Sequence, residues 1–334
     1  AVKLLFKPLL LLLLLLLPII LGFSSQSGRL KVFSVFSYTR RTDIVQEILR
    51  QDNGNSFLFS LFHLELVDQG RGVLQRYLNH LSPYFLFFSG DWQNLRHSVP
   101  YYGYFHLPEI LTVLVGLVVL LRTNNQLTKF LAAWLLLAPL PSALSRDLVS
   151  GVRSLPLLVP LVIISGFGLS KLAERRSLLL CYSVTLIFFF VYYLDLFYIH
   201  SPNFTAVEML YPYKPALNII KQHINDYQTV IFSDKLGQPY IFTLFYLRID
   251  PKQYQLQGRL TVNLQGDVGH VDSYDKFIFR PLFLPSDRFS TSTLLIGDQY
   301  ELPQSDLQTI PNLTNLGEIK YPNGAPALRL VGLK

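Results

Sequence analysis

Long apolar segments are the feature that most limits how this chain can fold. Five of them occur along the sequence, at residues 4–23, 107–121, 130–144, 155–169 and 178–197. A helix that crosses a bilayer needs about 20 largely apolar residues. Only 15% of the chain is charged, against roughly 25% in soluble domains. We therefore expect a polytopic α-helical membrane protein with about five spans and a C-terminal extracytoplasmic α/β domain.

The first apolar segment has two interpretations. Lys3 and Lys7 precede an unbroken leucine run, a layout typical of a membrane span and also of a secretory signal peptide. Residues 22–24 match a small-x-small cleavage site. The chain begins with Ala1 and has a single methionine, Met209, so we expect that an N-terminal portion precedes it. This expectation favours a span.

Basic residues predict the orientation of the segments. If all five cross, the lysines and arginines that flank them fall on one side, which is expected to be cytoplasmic; these residues are Lys3, Lys7, Arg122, Lys129, Lys171, Arg175 and Arg176. We predict a multi-pass protein of the cell membrane with four parts. These are a transmembrane helix at residues 1–23, an extracytoplasmic loop region with interfacial helices at 24–106, a four-helix transmembrane region at 107–200, and the extracytoplasmic α/β domain at 201–334.

The C-terminal domain is predicted from periodicity and turn signals. Residues 214–227 place apolar side chains on one face of a helix. Residues 229–233, 276–280 and 292–296 are short runs typical of strands. Asn323-Gly324 lies between two further apolar runs and indicates a β-hairpin. Together these signals indicate a small α/β domain.

Residues 77–110 contain the densest combination of aromatic and polar side chains. We select as candidate substrate-binding residues Asp91, Arg96, His97, Tyr101 and Tyr102. Aromatic rings suit an isoprenoid chain or a sugar face, and arginine or histidine suits a phosphate. The alternative is that the aromatic and basic residues only meet lipid headgroups at the membrane interface.

A second candidate lies in the loop at residues 145–156. Arg153 precedes the fourth apolar segment, where its guanidinium would be able to hold a lipid phosphate through two hydrogen bonds. The alternative interpretation is that Arg153 extends its charged group to the headgroups without a specific ligand.

Several other functions are excluded or unsupported. The net charge of +7 arises beside apolar segments, so we expect no nucleic-acid partner. One cysteine and seven scattered histidines give no metal-ligand spacing, and we predict no metal site. The sequence has no GxxxxGK[ST], GxGxxG, HExxH or GxSxG motif. The residues alone thus predict no complete catalytic centre.

One family resembles this organisation. The resemblance lies in SPYFLFFSGDWQNLRHSVPYYGYFHLPEI, in LAPLPSALSRDLVSGVRSLPLLVPL, and in the terminal α/β domain. It is to the C-terminal portion of bacterial GT-C-type membrane glycosyltransferases, in the protein-mannosyltransferase and aminoarabinose-transferase-like group (family 39-like). The resemblance implies transfer of a sugar from a polyprenyl-phosphate carrier, within the membrane lipid, to an acceptor glycan, lipid or protein on the outer face.

The resemblance also implies which functional residues belong to this chain. The acidic catalytic residue of such enzymes would precede Ala1, so no catalytic residue is assigned here and Asp91 does not take that role. Arg153, Arg96 and His97 would hold the carrier phosphate, whose departure is favoured by fixed cationic donors. Cofactor use is unknown, and whether a divalent cation takes part is left open.

Two other classes of protein are alternatives. A transporter or flippase fragment should carry paired charges near the midplane of its spans, and the apolar segments contain no such pair, since Asp195 lies near the outer end of the fifth. A non-enzymatic membrane anchor would present the α/β domain to a partner. That alternative leaves the aromatic and basic cluster at residues 84–104 unexplained.

Overall fold

A computed structural model of the chain describes residues 14–18, 21, 42–52, 54, 56–123, 125–261 and 270–334. The chain forms two compact units. The smaller comprises residues 1–76, 143–148 and 262–268, and the larger comprises Tyr77–Ser142, Val149–Thr261 and Gly269–Lys334. The site and the sheet described below belong entirely to the larger unit.

Between residues 42 and 81, the described part of the chain forms three helices ahead of the candidate site. Helix α1 covers Thr42–Gln51, α2 covers Ser56–Phe62 and α3 covers Glu65–Leu81. The predicted first span, and with it the choice between span and signal peptide, lies outside the described residues except for 14–18 and 21, which are helical.

Helices also form at the other four apolar segments. They are α4 (Glu109–Thr123), α5 (Gln126–Leu137) with the short α6 (Leu140–Ala143), α7 (Leu155–Leu172) and α8 (Arg176–Asp195). Helix α8 continues through a π-helical turn, Leu196–His200, into α9 (Ser201–Thr205).

The prediction of a polytopic helical membrane protein with about five spans is wrong. Among the described residues, only α7 and the continuous helical segment Arg176–Thr205 are long and apolar enough to cross a membrane. Helix α4 has 15 residues and α5 has 12. At 1.5 Å per residue they extend about 22 and 18 Å, short of a hydrocarbon core of about 30 Å. Apolar composition predicted where helices form but not how long they are.

Helices α4 and α7 cross with their backbones in close contact. A Cβ atom on Gly116 would overlap the carbonyl of Ile164, and one on Gly168 would overlap the carbonyl of Thr112. The Thr112 and Ser165 hydroxyls lie 2.7 Å apart and form a buried hydrogen bond between the helices. Small residues allow such an approach between helix backbones, which replaces side-chain interdigitation.

The rest of the larger unit is built on a seven-stranded sheet, so the chain as a whole is a mixed α/β protein. The strands are β1 (Thr229–Phe232), β2 (Arg259–Thr261), β3 (His270–Tyr274), β4 (Phe277–Phe279), β5 (Thr293–Gly297), β6 (Leu313–Lys320) and β7 (Pro326–Leu333). Their order is β2-β3-β4-β1-β5-β7-β6. Strand β1 is parallel to β4 and β5, and the outer pairs are antiparallel.

Helices cover both faces of this sheet. The connecting helices are α10 (Tyr213–His223), α11 (Pro239–Leu247), α12 (Pro251–Gln257), α13 (Leu284–Asp287) and α14 (Gln304–Leu307). Side chains of α10 and α11 pack with Val230 and Phe232 of β1 on one face. Ile231 points to the other face, where it packs with Leu284 of α13. All five residues of β5 are buried, as expected for a strand covered on both sides.

Gly168→Ala tests the close crossing of α4 and α7. The added methyl group would overlap the backbone of α4, so we expect destabilisation of about 1–3 kcal/mol, as for other overpacked sites. Gly166→Ala on the same helix is the matched control, because a Cβ atom there meets open space. Thermal unfolding in detergent should show a lower Tm for G168A alone. Equal Tm values for both variants would contradict the crossing.

An ion pair in the α/β part predicts a pH dependence. Arg280 donates two hydrogen bonds to Asp287, at 2.7 and 3.1 Å, and the Phe283 N–H donates a third at 2.7 Å. Burial alone would raise the pKa of Asp287, but these hydrogen bonds and the charge of Arg280 outweigh burial and lower it. A lowered folded-state pKa adds stability above the unfolded value of about 3.9, and that stability is lost as the pH falls from this value through the lower folded-state pKa.

Asp287→Asn should therefore lower the Tm at pH 7. Between pH 5 and pH 3, a window set about the unfolded pKa near 4, the Tm of the variant should fall less than that of wild type. Asp275→Asn, at an exposed turn position, is the control and should follow the wild-type profile. A D287N profile parallel to that of wild type would show that this carboxylate carries none of the acid sensitivity.

Candidate functional site

A cavity of about 670 Å³ lies between the 3₁₀ turn Leu95–His97 and the C-terminal end of α8. One part of its wall is apolar or aromatic and includes Val99, Phe190, Tyr193, Phe197 and Met209. Polar side chains complete the wall, among them Arg96, His97, Tyr102, His106, Tyr198, Ser201 and Thr205. The cavity thus joins a cationic group to an aromatic surface.

The carboxylate of Asp91 holds the wall of this cavity in place. Asp91 is 1% exposed. Its Oδ1 accepts a hydrogen bond from the Asn94 N–H at 3.0 Å, and its Oδ2 accepts one from the Gly151 N–H at 2.8 Å. A buried carboxylate is costly unless such donors compensate it. Asp91 therefore binds the Leu95–His97 turn to the loop that precedes α7, and acts behind the cavity.

His97 lies between Asp91 and the cavity. Its Nδ1 is 3.5 Å from Oδ2 of Asp91, within the range of an ion pair. The same nitrogen is buried and forms no hydrogen bond within the described structure, so the two groups face each other without optimal geometry. The backbone of His97 is fixed separately, because its carbonyl accepts a hydrogen bond from the Tyr104 hydroxyl at 3.0 Å.

Tyr104 and two glycines explain why these segments pack so closely. A Cβ atom on Gly151 would overlap the Tyr104 hydroxyl, and one on Gly103 would overlap the backbone of Leu86. Burial, together with the negative charge of Asp91, raises the pKa of the Tyr104 hydroxyl well above its usual value. Tyr104 therefore stays a neutral hydrogen-bond donor at physiological pH.

Arg96 is the cationic group of the cavity. Its Nε donates a hydrogen bond to the carbonyl of Glu208 at 2.9 Å, and its backbone N–H donates to Asn94 Oδ1 at 3.1 Å. The two terminal nitrogens have no partner among the described residues. A guanidinium held at Nε presents these terminal groups in a fixed plane, which is the geometry that binds phosphate through two parallel hydrogen bonds.

Tyr102 is oriented by two groups. It is 5% exposed, its hydroxyl donates to the carbonyl of Phe189 at 3.0 Å, and the same oxygen lies 2.7 Å from Nδ1 of His106. Burial, and then the charge of Glu109, raise the pKa of Tyr102 to about 12. The hydroxyl is thus neutral and acts as a positioning group for His106.

Of the six predicted substrate-binding residues, three line the cavity, one supports it and two lie outside its wall. Arg96, His97 and Tyr102 line the cavity, and Asp91 supports it from behind. Tyr101 is 71% exposed, has a positive φ of 62° and packs edge-on against Phe204 rather than lining the cavity.

Arg153 is also not among the residues that line the cavity. It lies in the turn that leads into α7, where its backbone N–H faces the Ser150 hydroxyl at 3.5 Å. The interpretation of Arg153 as the first phosphate ligand therefore has no support from this cavity.

Sequence reasoning missed His106. It was counted with the scattered histidines, although its spacing of four residues from Tyr102 was a usable signal. Its backbone N–H donates to Oε2 of Glu109 at 2.7 Å, which fixes His106 at the start of α4. An acidic residue three positions after a histidine, directly before an apolar helix, is the sequence pattern of this arrangement.

The described residues contain no group of three or more His, Cys, Asp or Glu side chains placed to hold a metal ion. The cavity itself presents oriented hydrogen-bonding groups, the guanidinium of Arg96 and the imidazoles of His97 and His106. Such a set can bind an anionic group beside an apolar one.

Comparison with known proteins gives no relative. No family model, no curated protein and no solved structure matches this chain. The resemblance to membrane glycosyltransferases therefore rests on the sequence features described above.

Asp91→Asn tests the support of the cavity. An amide has one acceptor oxygen in place of two, so either the Asn94 or the Gly151 N–H loses its partner, at a cost of about 1–3 kcal/mol. We expect a lower free energy of unfolding for D91N in detergent. Asp226→Asn, whose side chain is 63% exposed, is the control. Equal stability of the two variants would show that Asp91 does not hold these segments together.

Proposed function

We propose that this chain forms the carrier-binding part of a membrane glycosyltransferase and holds the phosphate of a polyprenyl-phosphate-linked sugar in the cavity between the Leu95–His97 turn and α8. The observation that carries the proposal is the position of Arg96, which is oriented by the Glu208 carbonyl in a wall that also includes the aromatic side chains of Phe190, Tyr193 and Phe197. A lipid phosphate combines these two chemistries in one molecule.

The anionic end of the ligand is assigned to Arg96 and His97. Hydrogen bonds from a charged donor to a phosphate are roughly twice as strong as those between neutral groups. The bond from Arg96 Nε to the Glu208 carbonyl means that little side-chain entropy is lost when the ligand binds. His97 lines the cavity beside Arg96 and supplies a second polar contact.

The apolar end of the ligand is assigned to the aromatic wall. Phe190 and Tyr193 belong to α8, and Phe197 belongs to the turn that continues it. These residues are part of Arg176–Thr205, the longer of the two candidate membrane helices. A chain that leaves the cavity along this helix would enter the lipid, as an isoprenoid tail requires.

The orientation proposed for the site follows from the turn between the two candidate spans. Lys171 lies at the end of α7, Arg175 in the turn and Arg176 at the start of α8, and their charge favours the cytoplasmic side. The cavity, at the opposite end of α8, would then lie at the outer face of the membrane. In sugar transfer the carrier phosphate is the leaving group, and Arg96 would stabilise its developing charge.

Binding of farnesyl phosphate to the detergent-solubilised chain tests the proposal. Arg96→Gln removes the guanidinium from the cavity, and we expect its Kd to rise about tenfold or more, as for the loss of a charged hydrogen bond. Arg153→Gln is the matched control. It makes the same substitution at the other arginine predicted from the sequence to bind phosphate, and Arg153 is not among the residues that line the cavity.

Farnesol and inorganic phosphate serve as the two halves of the probe, and each should bind far more weakly than farnesyl phosphate. If R153Q weakens binding and R96Q does not, the phosphate site lies elsewhere in the protein. If wild type binds neither farnesyl phosphate nor its sugar phosphodiester, farnesyl phosphoryl mannose, the proposed function is wrong.

A further inference from the structure

The cavity also contains a hydrogen-bond acceptor whose identity is fixed by its neighbours. The Tyr102 hydroxyl has one proton, and the Phe189 carbonyl, 3.0 Å away, can only accept it. The second contact of this hydroxyl is Nδ1 of His106 at 2.7 Å. Both contacts are hydrogen bonds only if Nδ1 carries a proton and donates it to the tyrosine oxygen. In the neutral imidazole, Nε2 is then an acceptor.

The ring of His106 is held in this orientation. Its backbone is bound to Glu109 at the start of α4, and the ring packs edge-on against Phe190 and Tyr193, with centroids 6.1 Å apart in each case. Rotating the ring by half a turn would place a carbon atom against the Tyr102 oxygen and break the hydrogen bond. Nε2 has no partner among the described residues, and His106 lines the cavity.

The acceptor differs in kind from the guanidinium of Arg96 and from the hydroxyls of the cavity. Arg96 offers donors only, and the hydroxyls of Tyr198 and Ser201 can rotate to donate. A phosphate monoester dianion has no proton to offer to Nε2, and its oxygens would oppose the lone pair. A hydroxyl next to the phosphate supplies the missing donor.

We propose that His106 Nε2 accepts a hydrogen bond from a hydroxyl of the sugar, so that the cavity selects isoprenoid phosphodiesters of sugars over isoprenoid monophosphates. This inference rests on the proposed function, because it assumes that Arg96 holds the phosphate. It adds the specificity of the site, since a buried acceptor left without a donor penalises the ligand that lacks the hydroxyl.

The experiment compares the affinities of farnesyl phosphate and farnesyl phosphoryl mannose for the full chain in detergent. For wild type we expect the mannose diester to bind about tenfold more tightly. His106→Phe keeps an aromatic ring against Phe190 and Tyr193 but removes Nε2. The variant should lose the preference and bind the two ligands with similar Kd values, because neither the hydrogen bond to the sugar nor the penalty on the monophosphate remains.

Tyr102→Phe gives an independent test of the tautomer. Without the hydroxyl, nothing fixes the proton at Nδ1, so the preference for the diester should fall while the ring stays in place. Nitrogen NMR of wild type should show His106 with a protonated Nδ1 and an unprotonated Nε2.

The outcomes separate the two proposals. Failure of wild type to bind either farnesyl compound contradicts the proposed function. Binding of both compounds with no preference for the diester overturns this inference alone. A tenfold preference retained in H106F, or an equal loss of both ligands in H106F, also overturns it, because His106 would then not act as the sugar acceptor.

Discussion

The carboxylate of Asp91 connects segments on which the whole cavity depends. It is buried at 1% exposure and accepts backbone hydrogen bonds from Asn94 and from Gly151. Gly151 lies 60 residues after Asp91 along the chain. A charge in such a place is tolerated only when donors surround it, so the two segments must adopt this arrangement together. The direction in which Arg96 and His97 enter the cavity is a consequence.

Backbone atoms orient the polar groups of the cavity. The Glu208 carbonyl holds Arg96 at Nε, and the Phe189 carbonyl holds the Tyr102 hydroxyl, which in turn orients His106. Because main-chain atoms of packed elements move little, these groups are arranged before a ligand arrives. Preorganisation of this kind reduces the entropy lost on binding and increases the effect of each dipole in a site of low polarity.

Sequence reasoning predicted the positions of local elements better than helix lengths or tertiary contacts. The apolar segments indicated where α4, α5, α7 and α8 form, but helix length depends on where capping residues and prolines stop the chain, and composition does not record this. Arg153 was selected because it precedes an apolar segment, but whether a residue lines a cavity depends on tertiary contacts. His106 was missed because its role comes from a hydrogen bond to Tyr102, whereas the aromatic and basic run around Arg96 was visible in sequence.

The close approaches at Gly103, Gly116, Gly151 and Gly168 determine which sequences can share this structure. At each of these positions a single methyl group would overlap a neighbouring backbone or the Tyr104 hydroxyl. Apolar residues of similar volume, such as leucine, isoleucine and methionine, can replace one another in the apolar segments at a cost below about 1.5 kcal/mol. The spacing of these four glycines, at intervals of 13, 35 and 17 residues, is consequently a more selective signature for finding distant relatives of this chain than its far longer apolar segments.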